Sequence, residues 1–231
     1  MSSSQIGERF TEGSRQLGLT LDNAALRRLT GYFQELWKWN RKMNLVASAS
    51  AKEIIDSHFL DSLALAPVLF SLSNAGPLLD IGSGAGFPGL VLKAAYPELQ
   101  TVLVEPRQKR ATFLRHVIRS LELTDIDVHT LHLMPDDRRQ MEQLGRFPVI
   151  TSRALTDIGG FLALASSFCE PKGFILCMKG RKAADELAHW QRNNSGSPFL
   201  LVSRHTYPLP FSDIQRQILV LRHTSNTHPP A

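Results

Sequence analysis

Cysteine is nearly absent from this chain of 231 residues. Only Cys169 and Cys177 occur, eight positions apart. That spacing matches neither a zinc knuckle nor a CxxC redox pair, so two reduced core thiols are expected. The 8 histidines show no ligand spacing, and no metal is expected. No apolar stretch approaches the roughly 20 residues needed to span a bilayer. The opening Met1-Ser2-Ser3-Ser4-Gln5 has no charged-then-apolar signal pattern, which makes a cytoplasmic protein without a membrane partner the expectation. No internal repeat is visible, and no apolar stripe is left over to point to an oligomer. What remains is 43% hydrophobic and 20% charged, an ordinary globular composition long enough for one domain with a small appendage.

The charge is basic, +5 overall with a pI near 9.5. Its placement says more than its size. Arg107, Lys109, Arg110, Arg115 and Arg119 crowd one segment, with Arg138, Arg139, Arg146 and Arg153 further on. Lys38, Arg41 and Lys42 lie beside Trp37 and Trp39. Such clustering is the footprint of a polyanion binder, and solvated helix faces are the competing reading.

Along the chain the first third reads as helical. Leu26, Leu29, Tyr32, Phe33, Leu36 and Trp37 recur at three- and four-residue steps behind Asp22, a candidate N-cap. By this stripe Trp37 belongs to the core, while Trp39 is left exposed for base stacking. A second helix is expected over His58 to Phe70, before the turn-rich Ser71–Pro77. From Leu78 onward short apolar runs alternate with amphipathic segments. Strands are expected at 78–81, 101–105, 126–131, 147–151, 173–178, 199–206 and 214–222. Helices are expected near 88–96, 107–121, 136–144, 156–169 and 181–192. This alternation predicts an α/β fold with a mostly parallel sheet covered on both faces. The last two strands, joined through Tyr207-Pro208-Leu209-Pro210, are placed as an antiparallel hairpin at its edge. The expected organisation is a helical N-terminal extension over 1–76, a core over 77–223 and a tail over 224–231. Disorder is expected through about Gln5 and from Thr224 on.

The segment Leu78-Leu79-Asp80-Ile81-Gly82-Ser83-Gly84-Ala85-Gly86-Phe87-Pro88-Gly89 carries the chemistry. A strand ends in an acid, glycines let the backbone turn and approach a ligand, and Pro88 suits a helix start. Gly84 to Gly89 also fits GxGxxG, the pyrophosphate-binding pattern of dinucleotide enzymes. A carboxylate at Asp80 repels a pyrophosphate and attracts an ammonium, which favours S-adenosylmethionine. Glu105 ends the second strand about 20 residues later, the place for a ribose-hydroxyl acceptor in either class. Asp80, Gly82, Ser83, Gly84, Gly86, Phe87 and Glu105 are therefore the candidate cofactor residues. Seven strands with a terminal hairpin suit a Rossmann-like methyltransferase better than a dehydrogenase.

Several motifs in one order carry a resemblance. They are Trp39-Asn40-Arg41-Lys42-Met43-Asn44-Leu45, His58-Phe59-Leu60-Asp61-Ser62, the glycine loop, Lys109-Arg110-x-x-Phe113-Leu114, Ser152-Arg153-Ala154 and Lys179-Gly180. Over about residues 20 to 222 the chain resembles the glucose-inhibited division protein B family, bacterial methyltransferases that modify a guanine N7 in small-subunit (16S) ribosomal RNA. The resemblance implies a Rossmann-like core, S-adenosylmethionine as donor, and 16S ribosomal RNA or the small ribosomal subunit as partner. It implies cofactor contacts at Gly82, Phe87, Leu133, Met134 and Arg153. The family's third strand ends Arg-x-Glu, where this chain has His132-Leu133-Met134; the arginine's substrate-side role would pass to His132 or be lost. Arg216 aligns with an arginine of the family's last strand.

Guanine N7 presents a free lone pair on the major-groove edge, so its methylation needs no general base. The chain accordingly lacks an Asn-Pro-Pro-Tyr motif for exocyclic amines and a Pro-Cys pair for covalent C5 chemistry. Arg153, Arg216 and His132 are the candidate catalytic residues, the arginine forks suiting O6 and phosphate. Lys38, Arg41, Lys42, Lys109, Arg110, Arg115, Arg119 and Lys179 are the candidate RNA contacts. His58 and Asp61 read equally as cleft residues or as a buried hydrogen-bonded pair. A non-catalytic RNA-binding protein, a small-molecule methyltransferase and a dinucleotide-dependent oxidoreductase remain the alternatives.

Overall fold

The computed structural model describes residues 1–47, 50–72, 76–153, 155–193 and 196–224. Part of the Ser71–Pro77 linker, Ala154 of the Ser152-Arg153-Ala154 motif and the tail after Thr224 lie outside them.

The chain opens with helix α1, Ser3–Gln16. The disorder expected through Gln5 is corrected here. Ser2 and Gln5 form a reciprocal capping box that satisfies two first-turn N–H groups, and Ile6 and Phe10 bury the inner face. Arg9 also pairs with Asp56 through Nε at 2.7 Å. Thr224 is likewise ordered, its hydroxyl donating to the Pro198 carbonyl at 2.8 Å.

Helix α2, Asn23–Met43, starts at Asp22, whose carboxylate accepts from the Ala25 N–H at 2.6 Å. The helical stretch expected from His58 begins earlier. It runs through α3 (Ala51–Ile54), a π-helical turn (Ile55–Leu60), α4 (Asp61–Leu63) and α5 (Ala66–Ser71). Ala51–Ser71 is long and apolar enough to cross a membrane by length and composition, yet 67% of its most apolar window is buried inside the protein.

The strands are β1 (Leu78–Ile81), β2 (Thr101–Val104), β3 (Ile126–His129), β4 (Phe147–Arg153), β5 (Cys169–Lys179), β6 (Phe199–Pro208) and β7 (Gln215–His223). Helices α6 (Gly89–Ala95), α7 (Gln108–Ser120), α8 (Arg138–Leu144), α9 (Ile158–Ser166) and α10 (Ala183–Asn193) alternate with them. The sheet order is β3-β2-β1-β4-β5-β7-β6. β7 runs antiparallel between β5 and β6, the expected terminal hairpin, and the other pairings are parallel. β1 has β2 on one side and β4 on the other, so the strand order reverses there. A crevice opens beyond the strand ends at such a switch point.

The N-terminal helices form one wall of this crevice. Phe10, Tyr32, Phe33 and Phe59 share a core with Phe87, Leu90, Leu103 and Phe113. Phe59 packs edge-on against Phe10, Tyr32, Phe33 and Phe87. The Tyr32 hydroxyl donates to the Ala85 carbonyl inside the glycine loop. The two tryptophans exchange the places read from the stripe. Trp39 packs on Phe113 and His116, with ring centroids 5.6 and 4.9 Å away, because α7 covers that face of α2. Trp37 is 40% exposed.

Tyr32→Phe leaves the Ala85 carbonyl without its donor in a buried place. The expected loss is about 1–3 kcal/mol of stability, read from urea unfolding; an unchanged midpoint would mean that the hydrogen bond contributes nothing.

Candidate active site

The glycine loop is held by its own strand ends. The Gly82 and Ser83 N–H groups donate to the Val104 carbonyl at 2.8 and 3.1 Å, and those of Gly86 and Phe87 to Ser83 at 2.7 and 2.9 Å. Gly82, Gly84 and Gly86 all have positive φ, at 76°, 60° and 102°. Their surroundings differ. A Cβ on Gly86 would lie 2.2 Å from the Tyr32 hydroxyl and 2.8 Å from Leu90. On Gly82 it would meet Leu155 at 2.7 Å. On Gly84 nothing comes nearer than 3.9 Å. Gly84 therefore faces open space, and the other two make room for protein.

Glu105 is 2% exposed just beyond β2. Its carboxylate accepts from the Gly84 N–H at 2.9 Å and the Arg107 N–H at 2.8 Å, which ties the loop to the start of α7. Each carboxylate oxygen keeps a lone pair for a further donor such as a ribose hydroxyl. Asp80 stands behind the loop rather than on the cavity wall. It is fully buried, and one oxygen accepts from the Gly89 N–H at 2.9 Å while Oδ1 has no hydrogen-bond partner among the described residues. Burial pushes its pKa up to about 7.

The cavity beside the loop measures about 980 Å³. Gly82, Ser83, Gly84, Glu105 and Arg110 line it on the loop side, His58, Asp61, Arg153, Tyr207 and Arg216 form a second group, and Phe87 joins the two, its N–H on Ser83 and its ring against His58 and Arg153. Arg153 closes β4 and is bonded on several sides. Its Nη1 donates to the Ser57 carbonyl at 2.8 Å and to Asp61 at 3.0 Å, its Nη2 lies 2.6 Å from His58 Nδ1, and its guanidinium sits 5.0 Å from the Phe87 ring centre. The π-helical turn supplies both Ser57 and His58. Burial and the charges of Arg153 and Arg216 push the His58 pKa down to about 3. The ring is neutral and Nδ1 accepts, so its proton sits on Nε2. Asp61 also accepts from the Tyr207 hydroxyl at 2.8 Å and lies 3.6 Å from Arg216 Nε. Burial, reinforced by Asp61, raises the Tyr207 pKa, so the phenol stays protonated and donates.

The remaining candidates divide by direction. Glu35 bonds His116 at 2.6 Å and Trp39 meets Phe113, so α2 runs antiparallel to α7. This brings Lys38, Arg41 and Lys42, all exposed, to the same side of the molecule as Lys109 at the start of α7. Arg119 is exposed at the far end of α7. Arg115 turns inward and donates to the Val128 carbonyl at 2.7 Å and to Thr130 at 3.0 Å. Lys179 bonds the Thr156 carbonyl at 2.6 Å and Glu186 at 2.9 Å. His132, Leu133 and Met134 do not line the cavity. Leu133 is buried in the core, His132 and Met134 are exposed, and the Met134 N–H is taken by Gln140 at 3.0 Å. Tyr207 and the Ser57 carbonyl escaped the sequence reading. Tyr207 looked like part of a Pro-rich turn, and a carbonyl carries no residue signature.

Gly84→Val projects a branched side chain into the open end of the cavity. The positive φ of Gly84 strains the valine and costs some stability, and the variant is expected to lose S-adenosylmethionine binding in titration calorimetry while remaining stable enough to fold. Gly86→Ala is expected instead to cost about 3 kcal/mol or more of stability, through its steric clash and positive φ. Equal behaviour of the two variants would show that the loop does not divide in this way.

Residues 25–206 match the GidB family model, described as rRNA small subunit methyltransferase G. The ribosomal RNA small subunit methyltransferase G of Desulfotalea psychrophila is 42% identical over 214 residues, 92% of this chain and 96% of that protein. The protein of the same name from Myxococcus xanthus is 36% identical, covering 95% and 98%. Among solved structures, a methyltransferase from Pyrococcus furiosus superposes with a TM-score of 0.56 at 12% identity over 86% of this chain and 98% of that one. The ribosomal protein L11 methylase of Lactobacillus delbrueckii gives 0.52 at 14% identity, over 71% and 79%. These last two speak for the Rossmann-like fold alone. By the extent of the family match and of its relatives, this chain belongs to the GidB family of small-subunit ribosomal RNA methyltransferases.

Proposed function

We propose that this chain transfers the methyl group of S-adenosylmethionine to N7 of a guanine in 16S ribosomal RNA by direct in-line displacement, without a general base. Family membership supports the donor and the class of acceptor. The observation that carries the base-free chemistry is the state of the cavity carboxylates. Glu105 accepts from two backbone N–H groups, Asp61 from Arg153 and Tyr207, and Glu186 pairs with Lys179. The Nδ1 lone pair of His58 points at Arg153. Each of these groups already has donors or a cation of its own, an arrangement that suits guanine N7, from which no proton has to be removed.

The open space at Gly84 beside Glu105 fits a nucleoside with a free ribose. When bound there, S-adenosylmethionine supplies an electrophilic methyl group and a neutral thioether leaving group. The residues of this chain hold the reactants in line and keep water out, which is the main source of rate when no proton moves. The Arg216 guanidinium at the far end supplies a donor for O6, next to N7 on the same base edge, which orients the base for attack. The proposed RNA path runs over Lys38, Arg41, Lys42 and Lys109, with exposed Trp37 as a stacking surface. Arg115 serves the fold in this reading, because its hydrogen bonds anchor α7 to the segment around β3.

Labelled methyl transfer to small ribosomal subunits lacking the modification, followed by nucleoside analysis, is expected to yield 7-methylguanosine. A label on any other nucleoside, or none, contradicts the reading. Replacing Arg41 and Lys42 together by Gln is expected to flatten the salt dependence of RNA binding, by about 0.7 in slope for each single-strand phosphate no longer neutralised, and to leave S-adenosylmethionine affinity unchanged. An unchanged slope would move the RNA path elsewhere.

A further inference from the structure

Arg153 and Arg216 are the same residue type at the same end of one cavity, yet they are bonded in opposite ways. Three N–H groups of Arg153 are taken by Ser57, Asp61 and His58. Arg216 makes no hydrogen bond among the described residues; its Nε lies 3.6 Å from Asp61. A Cβ on Gly180 would come within 2.8 Å of Arg216 Nη1, so the glycine leaves room for this guanidinium. A single carboxylate, Asp61, stands between the two cations. It is 4% exposed and steadied by the Tyr207 hydroxyl.

We propose that Asp61, steadied by Tyr207, is the positioning residue of the acceptor end: it locks Arg153 into the wall and holds Arg216 facing the cavity, free to donate to O6 of the acceptor guanine. The inference rests on the base-methylation reading and adds an electrostatic role to it. Methyl transfer forms an N7–C bond and breaks a C–S bond, whose electron pair stays on sulfur. The positive charge therefore moves from the sulfonium to the base, toward two arginines. With Asp61 ionised the three groups carry one net positive charge, and without it they carry two. The carboxylate thus acts more strongly on the transition state than on bound substrate, and interactions of that kind raise kcat rather than lower KM. Its removal also loosens Arg153, which keeps only its Ser57 and His58 bonds, and lets Arg216 leave the position opposite O6.

The test is steady-state methyl transfer by Asp61→Asn and Tyr207→Phe, with thermal melts to confirm folding. Asp61→Asn is expected to lower kcat by about 30- to 100-fold, the scale of a misplaced reacting group, without raising KM for RNA. Asp61→Glu, which keeps the charge, recovers part of the loss. Tyr207→Phe removes one hydrogen bond to a carboxylate and lowers kcat about tenfold; it decides the matter if Asp61→Asn does not fold. Rotation of the Arg153 guanidinium, followed by arginine NMR on the protein without RNA, is expected to be slow in the wild type and fast in Asp61→Asn. A raised KM with unchanged kcat, or guanidinium rotation insensitive to Asp61, overturns the assignment. If the wild type transfers no methyl group to RNA, the base-methylation reading fails, and the NMR comparison still decides whether Asp61 positions the arginines.

Discussion

The structure depends on holding a glycine loop open. A backbone segment with three positive-φ glycines has few side chains of its own to fix it, Ser83 donating to the Asp80 carbonyl at 3.0 Å, and its N–H and C=O groups need partners. Those partners come from every element around it. The Val104 carbonyl takes two N–H groups, Glu105 takes one, Asp80 fixes the start of α6, and Tyr32 reaches in from α2. Glu105 is the economical part of the arrangement, since one buried carboxylate fastens both the loop and the start of α7. The N-terminal helices follow from the same need. They bring Tyr32 and Phe59 against the loop and, through the π-helical turn, present Ser57 and His58 to Arg153.

Much of this was legible in the sequence. The seven strands, the terminal hairpin and the switch from helical to alternating pattern at Leu78 depend on local periodicity and turn chemistry, which a chain displays openly. The loop and Glu105 were legible because their spacing is imposed by one turn and one helix. What could not be read was direction. Trp37 and Trp39 both lie near the apolar stripe of α2, and the position of α7 decides that Trp39 is covered. Arg115 and Lys179 look like free cations in a basic sequence, yet each reaches a backbone carbonyl. Charge is visible in a sequence, but where a long side chain spends it depends on neighbours far along the chain. The capping box at Ser2 and Gln5 is a local signal that outweighs the polar look of the first residues. His132-Leu133-Met134 stands in a different position. It departs from the pattern that the resemblance leads one to expect and lies off the cavity wall, with its backbone partly engaged by Gln140.

One cavity with two chemically distinct ends follows from these contacts. The loop end offers open space at Gly84 and carboxylate lone pairs at Glu105; the other end offers guanidinium donors gathered around Asp61. Every cavity carboxylate is engaged, which suits displacement at an atom that already has its lone pair.

The central claim is that the donor lies at the Glu105 end with its reactive side toward His58 and Arg153. A crystal structure with S-adenosylhomocysteine tests it most directly. The account predicts ribose hydroxyls on Glu105, the sulfur directed toward the Phe87–His58–Arg153 side, and the space beside Arg216 still open. A ligand lying against Arg216 with Glu105 untouched would contradict it.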